Sequence, residues 1–158
     1  LMKGVDCGIE SLKAVGHRGA VDADGKTGDG AGIHLEIPKD FFIEKIQVTG
    51  HDYDESEICV GMIFLPRNDY SAQESSKTIV ESELTKSNFS IYGWRQVPVN
   101  PKVLGEKAFQ TMPEIIQVLF KSNDTDLLDK DLERKIYETR KKIEIKADNL
   151  YLNDFYVC

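Results

Sequence analysis

The stretch of sequence that decides the fold reads HRGAVDADGKTGDGAGI, from His17 to Ile33. Five of its residues are glycines, of which Gly19 is the first and Gly32 the last, and most of the others are small or charged. Glycine adopts positive φ and permits close backbone approach, so such a segment forms a loop whose shape most other residues would forbid. From the chemistry alone, a fixed loop beside a ligand and an ordinary surface turn are equally good interpretations.

A phosphate-binding loop is one alternative for this stretch. Gly25-Lys26-Thr27 has the order of residues that closes such a loop. The loop also needs a glycine five residues before Gly25, where Ala20 stands, and it normally follows a buried strand, which the sequence does not predict there. The pattern therefore argues against nucleotide binding.

A metal site is the second alternative. Asp22 and Asp24 could supply the first oxygen ligands of a calcium loop. The fifth position of that loop would be Lys26, and the twelfth, which needs a bidentate glutamate, would be Ile33. The cysteines are too far apart in the sequence for a Cys-x-x-Cys site: they are Cys7, Cys59 and Cys158. The sequence predicts no metal site, and the position of Cys7 is more typical of a small buried residue than of a nucleophile.

Regular structure is predicted on both sides of the loop. Apolar residues at helical spacing predict an amphipathic helix up to Val15, stopped by Gly16. Alternating apolar and polar residues predict a half-buried strand at 33–37. A capping box of Ser71 and Glu74 is expected to begin a later helix. Further strands are expected at 58–65, 89–99 and 115–120, and helices at 41–46, 71–84, 103–110 and 132–150. The alternation of strands and helices indicates one layered domain.

Composition limits the kinds of partner. The chain has 158 residues, a net charge of −7 and 41% apolar residues, which suits a single domain. The negative charge disfavours nucleic acid and anionic membranes, since both need clustered Lys and Arg. No apolar run approaches the ~20 residues that a bilayer span requires, and the first residues lack the pattern of a signal peptide. We therefore expect a cytoplasmic protein that binds neither nucleic acid nor membrane.

Several short motifs occur in order and carry a resemblance to a known family. They are His17-Arg18-Gly19-Ala20, Ala23-Asp24, Thr27–Ile33, Gly93-Trp94-Arg95, Leu104-Gly105 and Thr111-Met112-Pro113. With this combination, the sequence resembles over essentially its whole length the N-terminal glutamine amidotransferase domain of glutamate synthase large chains. Two departures are Gly16, where the family usually has Glu, and Asp22, where a Gly is common.

The resemblance implies an α+β fold, namely part of a four-layer αββα sandwich of the N-terminal nucleophile hydrolase type. Residues 1–158 are expected to be one partial domain, truncated at both ends. In the family, an amino-terminal Cys attacks the side-chain amide of L-glutamine, with its own α-amino group as base. The ammonia passes to a synthase domain of the same chain, where 2-oxoglutarate becomes L-glutamate. FMN and an iron–sulfur cluster are implied for the full-length enzyme, and no cofactor for this segment. A small electron-donor subunit or ferredoxin is implied as a partner.

Within this sequence the resemblance assigns only a supporting part of the site. In related enzymes Arg18 lies beside the nucleophile and helps to hold the amino-terminal segment. Five loop residues are expected at the active site: Gly19, Thr27, Gly28, Asp29 and Gly30. The nucleophile and the oxyanion hole are expected outside residues 1–158, so the isolated segment is predicted to be inactive. A stand-alone or non-catalytic module that binds glutamine and regulates a partner is the alternative function.

Overall fold

The computed structural model describes residues 2–53, 57–124 and 127–158, which fall into two units. The first unit comprises the chain up to Pro38 together with Pro98–Met112, and it contains the glycine-rich stretch. The second unit comprises Lys39–Val97 and Pro113–Cys158.

Helices and strands alternate through most of the chain. The helices are α1 (Met2–Ala14), α2 (Lys39–Val48), α3 (Tyr70–Lys86), α4 (Glu106–Gln110) and α5 (Asp129–Asn149). The strands are β1 (Cys59–Leu65), β2 (Phe89–Gln96), β3 (Glu114–Ser122) and β4 (Tyr156–Val157). Among the described residues, no helix combines the length and the apolar character that crossing a bilayer requires.

The strands of the second unit form one antiparallel sheet in the order β2-β3-β1-β4. In the central strand β3, Val118 lies opposite Trp94 of β2 on one side and Gly61 of β1 on the other. These strands correspond to the aliphatic and aromatic runs of the sequence, which fit the pleated surface of a half-buried sheet. The predicted α+β class is confirmed, and one such sheet with its helices is consistent with part of an αββα sandwich.

The two faces of the sheet bury separate apolar clusters. Val118 belongs to a cluster that includes Val80 of α3 and Ile143 of α5. Its neighbour Leu119 belongs to a second cluster, which includes Ile46 of α2. Successive strand residues point to opposite faces, so helices cover both sides of β3. Helix α3 contributes three buried residues to the first of these clusters, namely Ile79, Val80 and Leu84.

Two of the expected local features are wrong. Residues 33–37 form no regular element, and Ile33, Leu35 and Ile37 are each more than a third exposed. Alternation produces a strand only where a neighbouring strand accepts its hydrogen bonds, and no strand of the described residues pairs with this segment. Helix α3 is capped by Asp69, whose carboxylate accepts a hydrogen bond from the Ala72 amide at 2.9 Å, and not by the predicted capping box.

Candidate functional site

The glycine-rich stretch folds into a hairpin within the first unit. The Asp22 amide donates to the Thr27 carbonyl at 2.7 Å, and the Ala20 amide donates to Asp29 Oδ2 at 2.9 Å. Gly28 lies so close to the opposite arm that a Cβ there would be 3.1 Å from the Ala20 carbonyl oxygen. The loop is therefore fixed by its own hydrogen bonds.

Asp24 organises the tip of this hairpin. Its Oδ1 accepts hydrogen bonds from the amides of Lys26 at 2.9 Å and Thr27 at 2.7 Å, and its Oδ2 accepts one from the Thr27 hydroxyl at 2.5 Å. Gly25 makes the turn possible with a φ of +69°. These donors, led by the Thr27 hydroxyl, favour the ionised carboxylate and hold the pKa of Asp24 well below its usual range.

This geometry argues against the phosphate and calcium interpretations. A phosphate loop offers its backbone N–H groups to the ligand, whereas those of Lys26 and Thr27 donate to Asp24. A calcium loop needs accessible carboxylate oxygens, but Asp22 Oδ2 lies 2.6 Å from Lys107 Nζ. Within the described ranges, no group of three or more His, Cys, Asp or Glu side chains could hold a metal ion.

A segment distant in sequence lies against the tip. A Cβ on Gly105 would lie 2.6 Å from the Thr27 amide nitrogen and closer still to Thr27 Oγ1 and Asp24 Oδ2. The Glu106 amide, at the start of α4, makes the smallest of the contributions that lower the pKa of Asp24. Sequence reasoning did not find this contact. Gly105 occurs in one of the resemblance motifs, but its sequence position gives no sign of what it touches.

Arg18 lies at the base of the hairpin. It ends a 3-10 turn, Gly16–Arg18, and its amide donates to the Val15 carbonyl at 2.9 Å. The side chain is exposed, and its guanidinium makes no hydrogen bond or ion pair within the described part of the chain. Instead, His17 Nδ1 lies 3.2 Å from the Ala14 carbonyl oxygen at the end of α1. The Arg18 guanidinium does not cap that helix.

The predicted site residues all lie on this one segment. Gly19 continues directly from Arg18, and Gly30 leaves the hairpin with a φ of +80°. The arms border a shallow depression, lined by Ala20, Val21, Asp22, Thr27, Gly28 and Asp29. The guanidinium of Arg18, which has no partner among the described residues, therefore directly precedes the glycine-rich hairpin in the sequence.

The three cysteines lie outside the hairpin and differ in exposure. Cys59 is buried in the sheet, and burial, with smaller effects from the charges of Glu57 and Glu133, raises its pKa to about 12. Cys7 is exposed, so the expectation that it is buried is wrong. It lies within α1, and Cys158 is exposed after β4.

Comparison with known proteins identifies the family. The chain matches the class-II glutamine amidotransferases over residues 2–158. It is 49% identical over 154 residues to the glutamate synthase large chain (NADPH) of Azospirillum brasilense, which covers 98% of this chain and 10% of that protein. It is 39% identical over 150 residues to ferredoxin-dependent glutamate synthase 1, chloroplastic/mitochondrial, of Arabidopsis thaliana, covering 94% of this chain and 9% of that protein. The chain spans about a tenth of the length of these relatives, and it belongs to the class-II glutamine amidotransferase family.

Proposed function

We propose that this chain is part of the glutaminase domain of a glutamate synthase. In this role the domain hydrolyses L-glutamine, and the ammonia reacts with 2-oxoglutarate to form L-glutamate. Membership of the amidotransferase family and the names of the relatives support the proposal. The structural observation behind the proposal is the hydrogen-bonded hairpin with the Arg18 guanidinium, which makes no hydrogen bond within the described residues, at its base. Amide hydrolysis needs groups that are held in place before the substrate binds.

Arg18 is the residue of this chain that we assign a supporting part in hydrolysis. A guanidinium presents five donors in a planar fork, so it can hold several backbone carbonyls of a neighbouring segment in one geometry. Its charge also favours a nearby thiolate over the thiol. The residues proposed to form the active-site loop with it are Gly19, Thr27, Gly28, Asp29 and Gly30.

The nucleophile is proposed to be a cysteine other than the three in this chain. The proposed mechanism uses the α-amino group of the nucleophilic Cys as base, and Cys7, Cys59 and Cys158 are each preceded by another residue, so none has a free α-amino group. The buried Cys59 also remains a thiol at neutral pH. We therefore expect the 158-residue polypeptide to release no ammonia from glutamine. Release above that of a heat-inactivated control would contradict this part of the proposal.

The synthase half of the reaction is proposed to belong to another region of the parent protein. FMN and an iron–sulfur cluster would act there, with electrons from a small donor subunit or from ferredoxin. The relatives support either donor, since one is named for NADPH and another for ferredoxin. A cytoplasmic location stays a prediction, and fractionation of the source cells would test it.

The proposed function is tested on the full-length parent protein. With 2-oxoglutarate and a reductant, we expect glutamate formation from glutamine and, independently, from added ammonia. Isotope from glutamine labelled at the amide nitrogen should appear in the α-amino group of newly formed glutamate. Saturable glutamine binding without hydrolysis would instead favour a regulatory module and would contradict the proposal.

A further inference from the structure

The tip of the hairpin is held by three consecutive residues, Gly105–Lys107, which we call the clasp. Gly105 packs directly against Thr27 and the Asp24 carboxylate, and Lys107 Nζ lies 2.6 Å from Asp22 Oδ2. Hairpin and clasp belong to the same unit although they are far apart in the sequence. The hydrogen bonds within the hairpin are therefore supplemented by a contact with a segment that is distant in the sequence.

Asp24 is the centre of this contact. Its ionised carboxylate accepts hydrogen bonds from the hydroxyl and amide of Thr27 and from the amide of Lys26, all within the hairpin. The clasp lies directly against this carboxylate, since a Cβ on Gly105 would clash with Asp24 Oδ2. Asparagine would keep the shape of the side chain but replace one acceptor oxygen with a donor group. Asp24 therefore shapes the tip against which the clasp packs, in a way that its closest isostere cannot reproduce.

Gly105 makes the close approach possible. A Cβ at this position would lie 2.6 Å from the Thr27 amide nitrogen, which is a backbone atom and cannot turn aside as a flexible side chain does. That Cβ would also contact the Asp24 carboxylate. A single methyl group at Gly105 therefore forces the tip and the clasp apart.

A displacement of the tip is transmitted along the arms of the hairpin toward Arg18. Three successive links join the arms: the Asp22 amide to the Thr27 carbonyl at 2.7 Å, the bridge between Val21 and Gly28, and the Ala20 amide to Asp29 Oδ2 at 2.9 Å. Ala20 follows Arg18 by only one intervening residue. A change in the position of the clasp is therefore expected to shift the backbone next to Arg18.

We propose that Gly105 and Asp24 are positioning residues for glutamine hydrolysis. They act by holding the hairpin, and through it Arg18, in the geometry that the reaction needs. This inference rests on the proposed function. Because the clasp shapes the site and does not bind glutamine, its loss lowers kcat for glutamine and changes KM for glutamine little.

The test uses the full-length protein with two variants and two matched controls. Gly105→Ala introduces the forbidden methyl group, and Asp24→Asn removes the charge with little change of shape. Gly4→Ala is the control for the first, since a Cβ at Gly4 meets nothing within 4 Å. Asp6→Asn is the control for the second, because the exposed Asp6 makes no hydrogen bond or ion pair with described residues.

Three measurements are made on each protein. They are glutamine-dependent turnover, ammonia-dependent turnover, and trypsin cleavage after Lys26, followed by mass spectrometry. In Gly105→Ala and Asp24→Asn we expect kcat with glutamine to fall by about 10–100-fold, as a misplaced group does, while ammonia-dependent turnover is kept. Cleavage after Lys26, at the released tip, should become faster. Both controls should behave as the wild type.

Several results would overturn the inference. Faster cleavage after Lys26 with unchanged glutamine turnover would show that the clasp holds the hairpin without serving the reaction. If Gly105→Ala misfolds and loses both activities, the test rests on Asp24→Asn. Normal glutamine turnover in Asp24→Asn then rejects the positioning role. A wild-type protein that never uses glutamine refutes the proposed function itself, and the inference falls with it.

Discussion

Lys107 Nζ lies 2.6 Å from Asp22 Oδ2, which joins α4 to the glycine-rich hairpin. The ion pair links two residues that are 85 positions apart in the sequence. The Lys107 side chain is 70% exposed and that of Asp22 33% exposed. Water and salt therefore screen the attraction between the two charges.

The first prediction concerns this ion pair. Replacing Lys107 by Met keeps most of the length of the side chain and removes its charge. We expect the free energy of unfolding to fall by only about 0.2–1 kcal/mol, as is usual for exposed pairs. Urea unfolding of wild type and variant at low and high salt measures the difference, which should shrink at high salt. A larger loss that salt does not reduce would show that Lys107 acts through packing.

The second prediction concerns Arg18. Lysine at this position keeps the positive charge but loses the planar fork of donors. In the full-length protein, Arg18→Lys should lower glutamine-dependent glutamate formation and leave ammonia-dependent formation near the wild-type rate. Assays with both nitrogen donors on one preparation measure the ratio. Unchanged turnover with glutamine would remove Arg18 from the site.

The sequence predicted those elements whose signal is local. The apolar run before Pro66 is β1, and the one-sided helix near the end of the chain is α5. The segment 33–37 has the same kind of local signal but forms no strand, because alternation does not reveal whether a partner strand is present. The pattern of apolar side chains predicts an element correctly where burial stabilises it. It does not predict a strand whose formation depends on a neighbouring strand that accepts its hydrogen bonds.

The candidate site was predictable only in part, for a related reason. The glycines and Arg18 were found because their residue types are unusual in that order. The contact between residues 105–107 and the hairpin could not be found, since residues far apart in the sequence give no local sign that they meet. Gly105 is informative only after the structure shows that the space of its missing side chain is filled by the hairpin.

The third prediction concerns the cysteines of the 158-residue chain. Cys7 and Cys158 are exposed, whereas Cys59 is buried and its pKa is raised to about 12. Because the thiolate is the reactive form, iodoacetamide at pH 8 should alkylate two cysteines quickly and Cys59 only after denaturation. Peptide mapping by mass spectrometry identifies the modified residues. Rapid modification of Cys59 under native conditions would contradict the buried position of β1.

The fourth prediction concerns Glu83 of α3. Its side chain is only 6% exposed, and its carboxylate is paired with Lys146 of α5 and, at 3.2 Å, with Lys86. The hydrogen bond from Lys146 is the main cause that lowers its pKa below the ordinary value of 4.5. Because Gln keeps the shape but loses the charge, Glu83→Gln should reduce the free energy of unfolding by about 1–3 kcal/mol at pH 7.

The pH dependence of that loss tests its cause. A carboxylate whose pKa is lowered in the folded state contributes its stability above the unfolded pKa, and this contribution disappears as the pH falls through the folded pKa. The difference between wild type and Glu83→Gln should therefore be constant from pH 7 to about 5 and shrink below 4.5. Urea unfolding across this range measures it, with the exposed Glu138→Gln on α5 as control. A difference that stays the same down to pH 3 would show that the charge of Glu83 is not the cause of the loss.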